Sequence, residues 1–261
     1  MALYAIGDLH LSLGADKPMD VFGGPWENYV EKIKLGFSSL HADDVCVLCG
    51  DLAWGMTMEQ ALPDFQFIEA LPGKKILLKG NHDFWWSTAK KAYSFFEAHD
   101  MHTMDILNNN CYFYEDYAIC GTRGWFYEEA KGEAHDRKIM LREVGRLETS
   151  LKAAGDRTKL VFLHYPPKYL GYECPEILDL LDAYHVPLCC YGHIHSRGLP
   201  QRLSGYVSRH GVPAAVGGLY FVLSAQDSPV KQVLILGHKS VIVFRHVLFM
   251  TNFINNAPGD K

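Results

Sequence analysis

The sequence predicts an α/β protein, and three observations carry that prediction. Short apolar runs of four to seven residues, rich in Val, Ile, Leu and Cys, recur along the 261 residues, as strands buried on both faces do. Segments with apolar residues at helical spacing lie between them, and alternation of strands with helices builds α/β sheets. Several runs also end on a residue able to bind metal, and such sheets form their sites at the carboxyl ends of their strands.

In chain order, LYAIGD ends at Asp8, and 26–40 reads as a helix. DVCVLCGD ends at Asp51; the helical pattern over 58–71 contains Pro63, so this helix is kinked or starts late. KKILLKGN ends at Asn81, before a helix over 87–99 and a polar stretch, 98–110, expected to begin in a loop. YAICGT is a strand that ends at Thr122 and Arg123, followed by a helix over 135–154. KLVFLH ends at His164; a helix over 175–184 begins at Pro175, which suits a first helical turn. PLCCYGH ends at His193, and 218–236 suggests two further strands. The apolar tail 237–261 is one more strand or a segment covering a partner surface.

Composition excludes several classes. The chain is 48% hydrophobic and 21% charged, as a globular protein is. A formal net charge of −5 makes it no electrostatic trap for long duplex nucleic acid. Arg197, Arg202, Arg209 and His210 are either a local basic patch or an ordinary solvated loop. The opening MALYAIGDLHLS does not read as a signal peptide, and no stretch reaches about 18 clean apolar residues, so no membrane span is expected. Seven cysteines without secretory context suggest a reduced, cytoplasmic protein. Cys46 and Cys49 form a C-x-x-C inside an apolar run, which reads as core thiols rather than a redox pair.

The strand-end residues form a ligand set. Asp8-Leu9-His10 is a D-x-H, and residues i and i+2 of an extended segment point the same way, so both can reach one ion. His193-Ile194-His195 repeats the spacing. With Asp51, Asn81 and His164 there are seven oxygen and nitrogen ligands and no thiolate. That is too many for one tetrahedral zinc and suits two ions sharing a carboxylate. Two such ions, about 3.5–4 Å apart, clamp the attacking and leaving oxygens of an in-line displacement. Two divalent ions with two carboxylates leave a local charge of about +2, which favours a phosphate group. The expected edge of convergence is that of one sheet.

D-x-H, G-D, G-N-H-D, H and G-H-x-H, in this order, resemble the signature of the calcineurin-like metallophosphoesterases. They stand here as Asp8-Leu9-His10, Gly50-Asp51, Gly80-Asn81-His82-Asp83, His164 and Gly192-His193-Ile194-His195. KPMDVFG (17–23) and GNHDFWW (80–86) also resemble a bacterial group of predicted phosphohydrolases. The resemblance implies a four-layer αββα sandwich, two mixed sheets flanked by helices, in one domain over 1–261 with its core in 1–236. It implies that Asp8, His10, Asp51 and His195 hold a first ion, and Asp51, Asn81, His164 and His193 a second. The metals would be manganese, iron, zinc or cobalt, divalent or trivalent. His82 would donate a hydrogen bond to the phosphate or protonate the leaving oxygen, and Asp83 would orient it by accepting its other ring proton. A hydroxide bridging the ions would attack phosphorus in a small phosphoester. The alternative is a non-catalytic scaffold that keeps this fold for protein binding; it would not need intact ligands or His82. Arg123 is a candidate phosphate clamp or a structural salt bridge. Trp54, Trp85, Trp86 and Trp125 either pack the sheet edge or rim the site.

Overall fold

The computed structural model describes residues 2–125, 133–169 and 172–194, together with the backbone of short strands at 204–207, 219–221, 236–237 and 240–241. The first half runs β1 (Leu3–Ile6), α1 (Tyr29–Phe37), β2 (Val45–Leu48), α2 (Leu62–Ala70), β3 (Lys74–Leu77), α3 (Ala89–Ala98) and β4 (Met104–Ile106). Then come β5 (Cys111–Tyr114), β6 (Tyr117–Thr122), α4 (Glu133–Ala153) and β7 (Thr158–Leu163). A small hairpin, β8 (Lys168–Tyr169) and β9 (Tyr172–Glu173), leads to α5 (Pro175–Ala183) and β10 (Leu188–Tyr191). The remaining strands are β11 (Ser204–Val207), β12 (Leu219–Phe221), β13 (Leu236–Gly237) and β14 (Ser240–Val241).

Two sheets form. The larger has the order β14-β13-β12-β1-β2-β3-β4, and the smaller β11-β10-β7-β6-β5. Both are mixed: β12, β1, β2, β3 and β4 run parallel, as do β6, β7 and β10, while β13, β14, β11 and β5 pair antiparallel. Strand parity sorts the apolar residues into three layers of core. On β2, Cys46 and Leu48 face out toward α1, α2 and α3, where Ile33, Phe37, Phe65, Ile68 and Phe96 cover them. Val47 and Cys49 face in and meet Ile119, Leu160, Phe162 and Cys190 of the smaller sheet. The outer face of that sheet, with Ala118, Val161 and Cys189, is covered by Met140, Leu147 and Leu151 of α4 and Ile177 and Leu181 of α5. This is the expected αββα sandwich. The C-x-x-C straddles a sheet, one thiol on each side, and all seven cysteines are unpaired.

Local sequence explains most element boundaries. α1 starts at Tyr29 and not at 26, because Asn28 takes a left-handed φ of 52° after the turn Gly24–Trp26. Pro63 sits in the first turn of α2, so the helix starts late and is not kinked. Thr88 caps α3 by accepting from Lys91 N at 3.2 Å. Buried Lys75 closes the end of α2, donating to the carbonyls of Leu71 (2.6 Å) and Gly73 (2.9 Å). The stretch 98–110 begins in a loop after α3, as expected, and then contains β4, paired with β3. Of the suggested strands in 218–236, Leu219–Phe221 pairs parallel with β1. The tail 237–261 lies outside the described residues except Gly237 and Ser240–Val241. The basic residues Arg197, Arg202, Arg209 and His210 also lie outside them. No helix among the described residues is long and apolar enough to cross a membrane.

Candidate metal centre

The strand-end residues do converge, but not on one sheet. Asp8, Asp51 and Asn81 follow β1, β2 and β3 of the larger sheet; His164 and His193 follow β7 and β10 of the smaller. The site therefore sits where the carboxyl ends of two facing sheets meet. The conformation also differs from the extended segment expected for D-x-H. β1 ends at Ile6, and Asp8 (φ 59°), His10 (φ 45°), Asp51 (φ 52°) and His193 (φ 72°) all adopt left-handed backbone. Such residues are uncommon and cluster at functional sites. These turns are held from outside: Asp8 N donates to Gly50 O (3.0 Å), His10 N to Asp51 O (2.9 Å) and Leu11 N to Leu52 O (2.9 Å). The β1 and β2 loops thus stay paired beyond their strands.

Two groups of donor atoms result. Asp8, His10 and Asp51 form one; Asp51, His164 and His193 form the other; within each, the ligand atoms lie within 4.8 Å of one another. Asp51 belongs to both. Its Oδ2 lies 3.7 Å from His10 Nε2 and 3.6 Å from His164 Nε2. Asn81 Oδ1 faces His164 Nε2 at 2.6 Å and His193 Nδ1 at 2.9 Å. His164 Nδ1 lies 3.0 Å from the Cys49 carbonyl, which can only accept. In the neutral ring the proton is therefore on Nδ1, and Nε2 turns a lone pair toward Asn81 and Asp51. Acceptors gathered in this way suit a cation. Oxygen and imidazole donors without sulfur suit a first-row divalent ion, so the residues fit the metals that the sequence suggests. His195, expected beside them, lies outside the described residues.

Glycine is required at two of the motif positions. A Cβ on Gly50 would lie 2.7 Å from His164 Nδ1, and Gly50 also has a φ of 89°. A Cβ on Gly80 would overlap the Asp51 carboxylate. The close approach of three loops to one another demands both.

His82 N donates to Asp51 Oδ1 at 2.7 Å, which places its half-exposed ring beside the ligands: 5.6 Å from His10 and 4.6 Å from Trp54, between centroids. Asp83 is used otherwise than the resemblance implies. It is buried, and its carboxylate accepts from Gly80 N (2.7 Å), Leu52 N (2.8 Å), Asp51 N (3.0 Å), Ala53 N (3.3 Å) and Trp85 Nε1 (3.1 Å). It ties the β2 and β3 loops together. Burial pushes its carboxyl pKa up, against the pull of these amides.

The tryptophans divide. Trp85 packs in the core. Trp54 stacks on His10 at 5.0 Å and carries Lys17 Nζ over its ring at 4.8 Å. Arg123 lies 3.6 Å from Glu143 and over the Trp125 ring, and its carbonyl accepts from His164 N and Tyr165 N. Sequence reasoning missed Tyr165, whose buried ring packs on both His164 and His193. It also missed the Cys49 carbonyl, for which side-chain types carry no signal.

The model of the family described as calcineurin-like phosphoesterase matches residues 1–197. The chain belongs to that family. No curated protein matches it. Among solved structures it is similar to a phosphopantetheinyl hydrolase from Mycobacterium tuberculosis (16% identity, TM-score 0.48, 81% of this chain and 86% of that one). It is also similar to a protein of unknown function from Aquifex aeolicus (17%, TM-score 0.40, 73% and 88%). A third, from Thermus thermophilus, shares 15% identity (TM-score 0.45, 75% and 82%).

Proposed function

We propose that this calcineurin-like phosphoesterase hydrolyses small phosphoesters at a binuclear metal centre bridged by Asp51. The observation that carries the reading is the membership of Asp51 in both donor groups. Asp8 and His10 would complete the first site with His195, and Asn81, His164 and His193 the second. Manganese, iron, zinc or cobalt held there would supply positive charge for the phosphate oxygens and a water activated near neutral pH.

The chain's own residues do the rest. Asp51 holds the loop of His82 through the His82 amide, so the carboxylate that binds metal also positions the ring. His82 donates a hydrogen bond to the phosphoryl group or protonates the departing oxygen. Asp83 positions His82 indirectly, by fixing the turn from Gly80 onward. Trp54, stacked on His10, keeps one flank of the site apolar. Seven unpaired thiols support a reducing, cytoplasmic setting.

Purified protein loaded with Mn²⁺ is assayed on bis-p-nitrophenyl phosphate and p-nitrophenyl phosphate. Turnover is expected on at least one. Asp51→Ala is expected to abolish it together with metal binding. His82→Gln is expected to lower kcat by about 10²–10⁴-fold while metal content stays intact. Activity that stays near the native level after either change sinks the mechanism, and absence of turnover on any phosphoester with metal fully bound favours a scaffold.

A further inference from the structure

We propose that Lys79, Arg123 and Arg146 form an anion-binding subsite beside the metal centre, which takes a second anionic group of the substrate. This rests on the phosphoesterase reading above and narrows the substrate class to phosphoesters that carry another phosphate or a carboxylate.

Placement comes first. Lys79 precedes Asn81 by two residues on the β3 loop. Arg123 follows β6, and its carbonyl accepts from His164 N (3.1 Å) and Tyr165 N (2.8 Å). Both thus flank the Asn81 and His164 side of the centre. Arg146 reaches the same place from α4 and bonds Glu143 Oε1 at 2.6 Å.

Charge comes second. Glu143 is buried and faces the two arginines, but its oxygens are committed: Oε2 accepts from Thr122 Oγ1 at 2.5 Å and Oε1 from Arg146. Arg123 Nη2 reaches that same Oε1 only at 3.6 Å, and Arg123 Nε is buried with no hydrogen-bond partner among the described residues. The half-buried Lys79 ammonium makes no ion pair or hydrogen bond with a described residue; burial disfavours its charge, Arg123 and Arg146 repel it, and the Asp83 and Glu143 carboxylates attract it from beyond bonding distance. The Asp83 carboxylate is taken up by amides and an indole. Asp136, also on α4, lies seven residues from Glu143, roughly 10 Å along the helix. Three cations against two carboxylates, Glu143 and Asp83, which keep their charge while accepting hydrogen bonds, leave an excess of about +1 in a partly desolvated place, where guanidinium and ammonium groups bind oxyanions well. A structural ion pair explains Arg146 with Glu143; among the described residues it leaves the Lys79 ammonium and Arg123 Nε without a hydrogen-bond partner.

Substrate pairs test this. Mn²⁺-loaded enzyme is given propane-1,3-diol monophosphate against the bisphosphate, and glycerol 3-phosphate against 3-phosphoglycerate. The doubly anionic member of at least one pair is expected to have the higher kcat/KM, by about tenfold or more, since charge-assisted hydrogen bonds to the second anion add to binding. The pair that responds distinguishes phosphate from carboxylate. Arg123→Gln and Lys79→Gln are each expected to collapse the preference, and Arg123→Lys to retain part of it. Lys79→Gln leaves the Glu143 ion pairs in place and serves if Arg123→Gln does not fold. Turnover of the simple esters with no preference, or a preference that both variants keep, overturns the subsite alone. No turnover of any ester with metal bound overturns the phosphoesterase reading and the subsite with it.

Discussion

At the scale of single residues, Asp83 shows how a motif position can serve geometry. Five donors converge on its carboxylate, and none of them can accept. Asp83→Asn would turn an amide NH₂ toward N–H groups inside a buried cluster. We expect a loss of about 2–4 kcal/mol in urea denaturation, because a buried network loses a charge and leaves donors unsatisfied. We also expect weaker metal binding, because Asp51 N and Gly80 N are among those donors. A variant as stable as the native chain would show that another group organises the turn. The same scale explains what the motif letters conceal. D-x-H reads as two side chains on one face of a strand, yet Asp8 and His10 both take left-handed backbone past the end of β1. The residue types were legible, while the conformation depends on amides and carbonyls of the neighbouring β2 loop, which lie some forty residues away in sequence.

At the scale of elements, α2 and the loop after β1 are joined by Asp64. It is fully buried, accepts from Leu13 N at 2.7 Å, and its Oδ2 has no hydrogen-bond partner among the described residues. Burial pushes its carboxyl up from 3.8 to about 6. The folded chain therefore keeps this proton up to about pH 6, whereas the unfolded chain releases it near pH 4. Stability from this group is present at low pH and declines as pH rises from about 4 to 6, by a total on the order of 3 kcal/mol. Asp64→Asn keeps the bond to Leu13 and is expected to flatten the slope between pH 4 and 6; an unchanged slope in thermal or urea unfolding would contradict this. The elements that sequence reading found were those with long apolar runs or a punctuating proline, such as β2, β7 and α5. β4 escaped because MDI is three residues long and set in a polar stretch. β5 escaped because CYFY is mostly half-buried or exposed, at the edge of its sheet. Short edge strands owe their form to the neighbour they pair with.

At the scale of the molecule, two sheets face each other and bring five loops to one place. From periodicity, the five ligand-bearing runs predict one sheet edge; all five are alike as buried parallel strands. Their division between sheets depends on the crossover of the chain, for which only the family resemblance carried a signal. The consequence is energetic. Three of the loops belong to one sheet and two to the other, so ions bound between them bridge the halves of the sandwich, and binding to the folded state alone adds to its stability. The central claim, two ions sharing Asp51, is tested most directly by calorimetric titration of Mn²⁺ or Zn²⁺ into metal-free protein, with metal content measured after desalting. Two ions per chain are expected in the native protein, with both lost or strongly weakened in Asp51→Ala; one ion per chain, or two that persist without Asp51, would contradict the account.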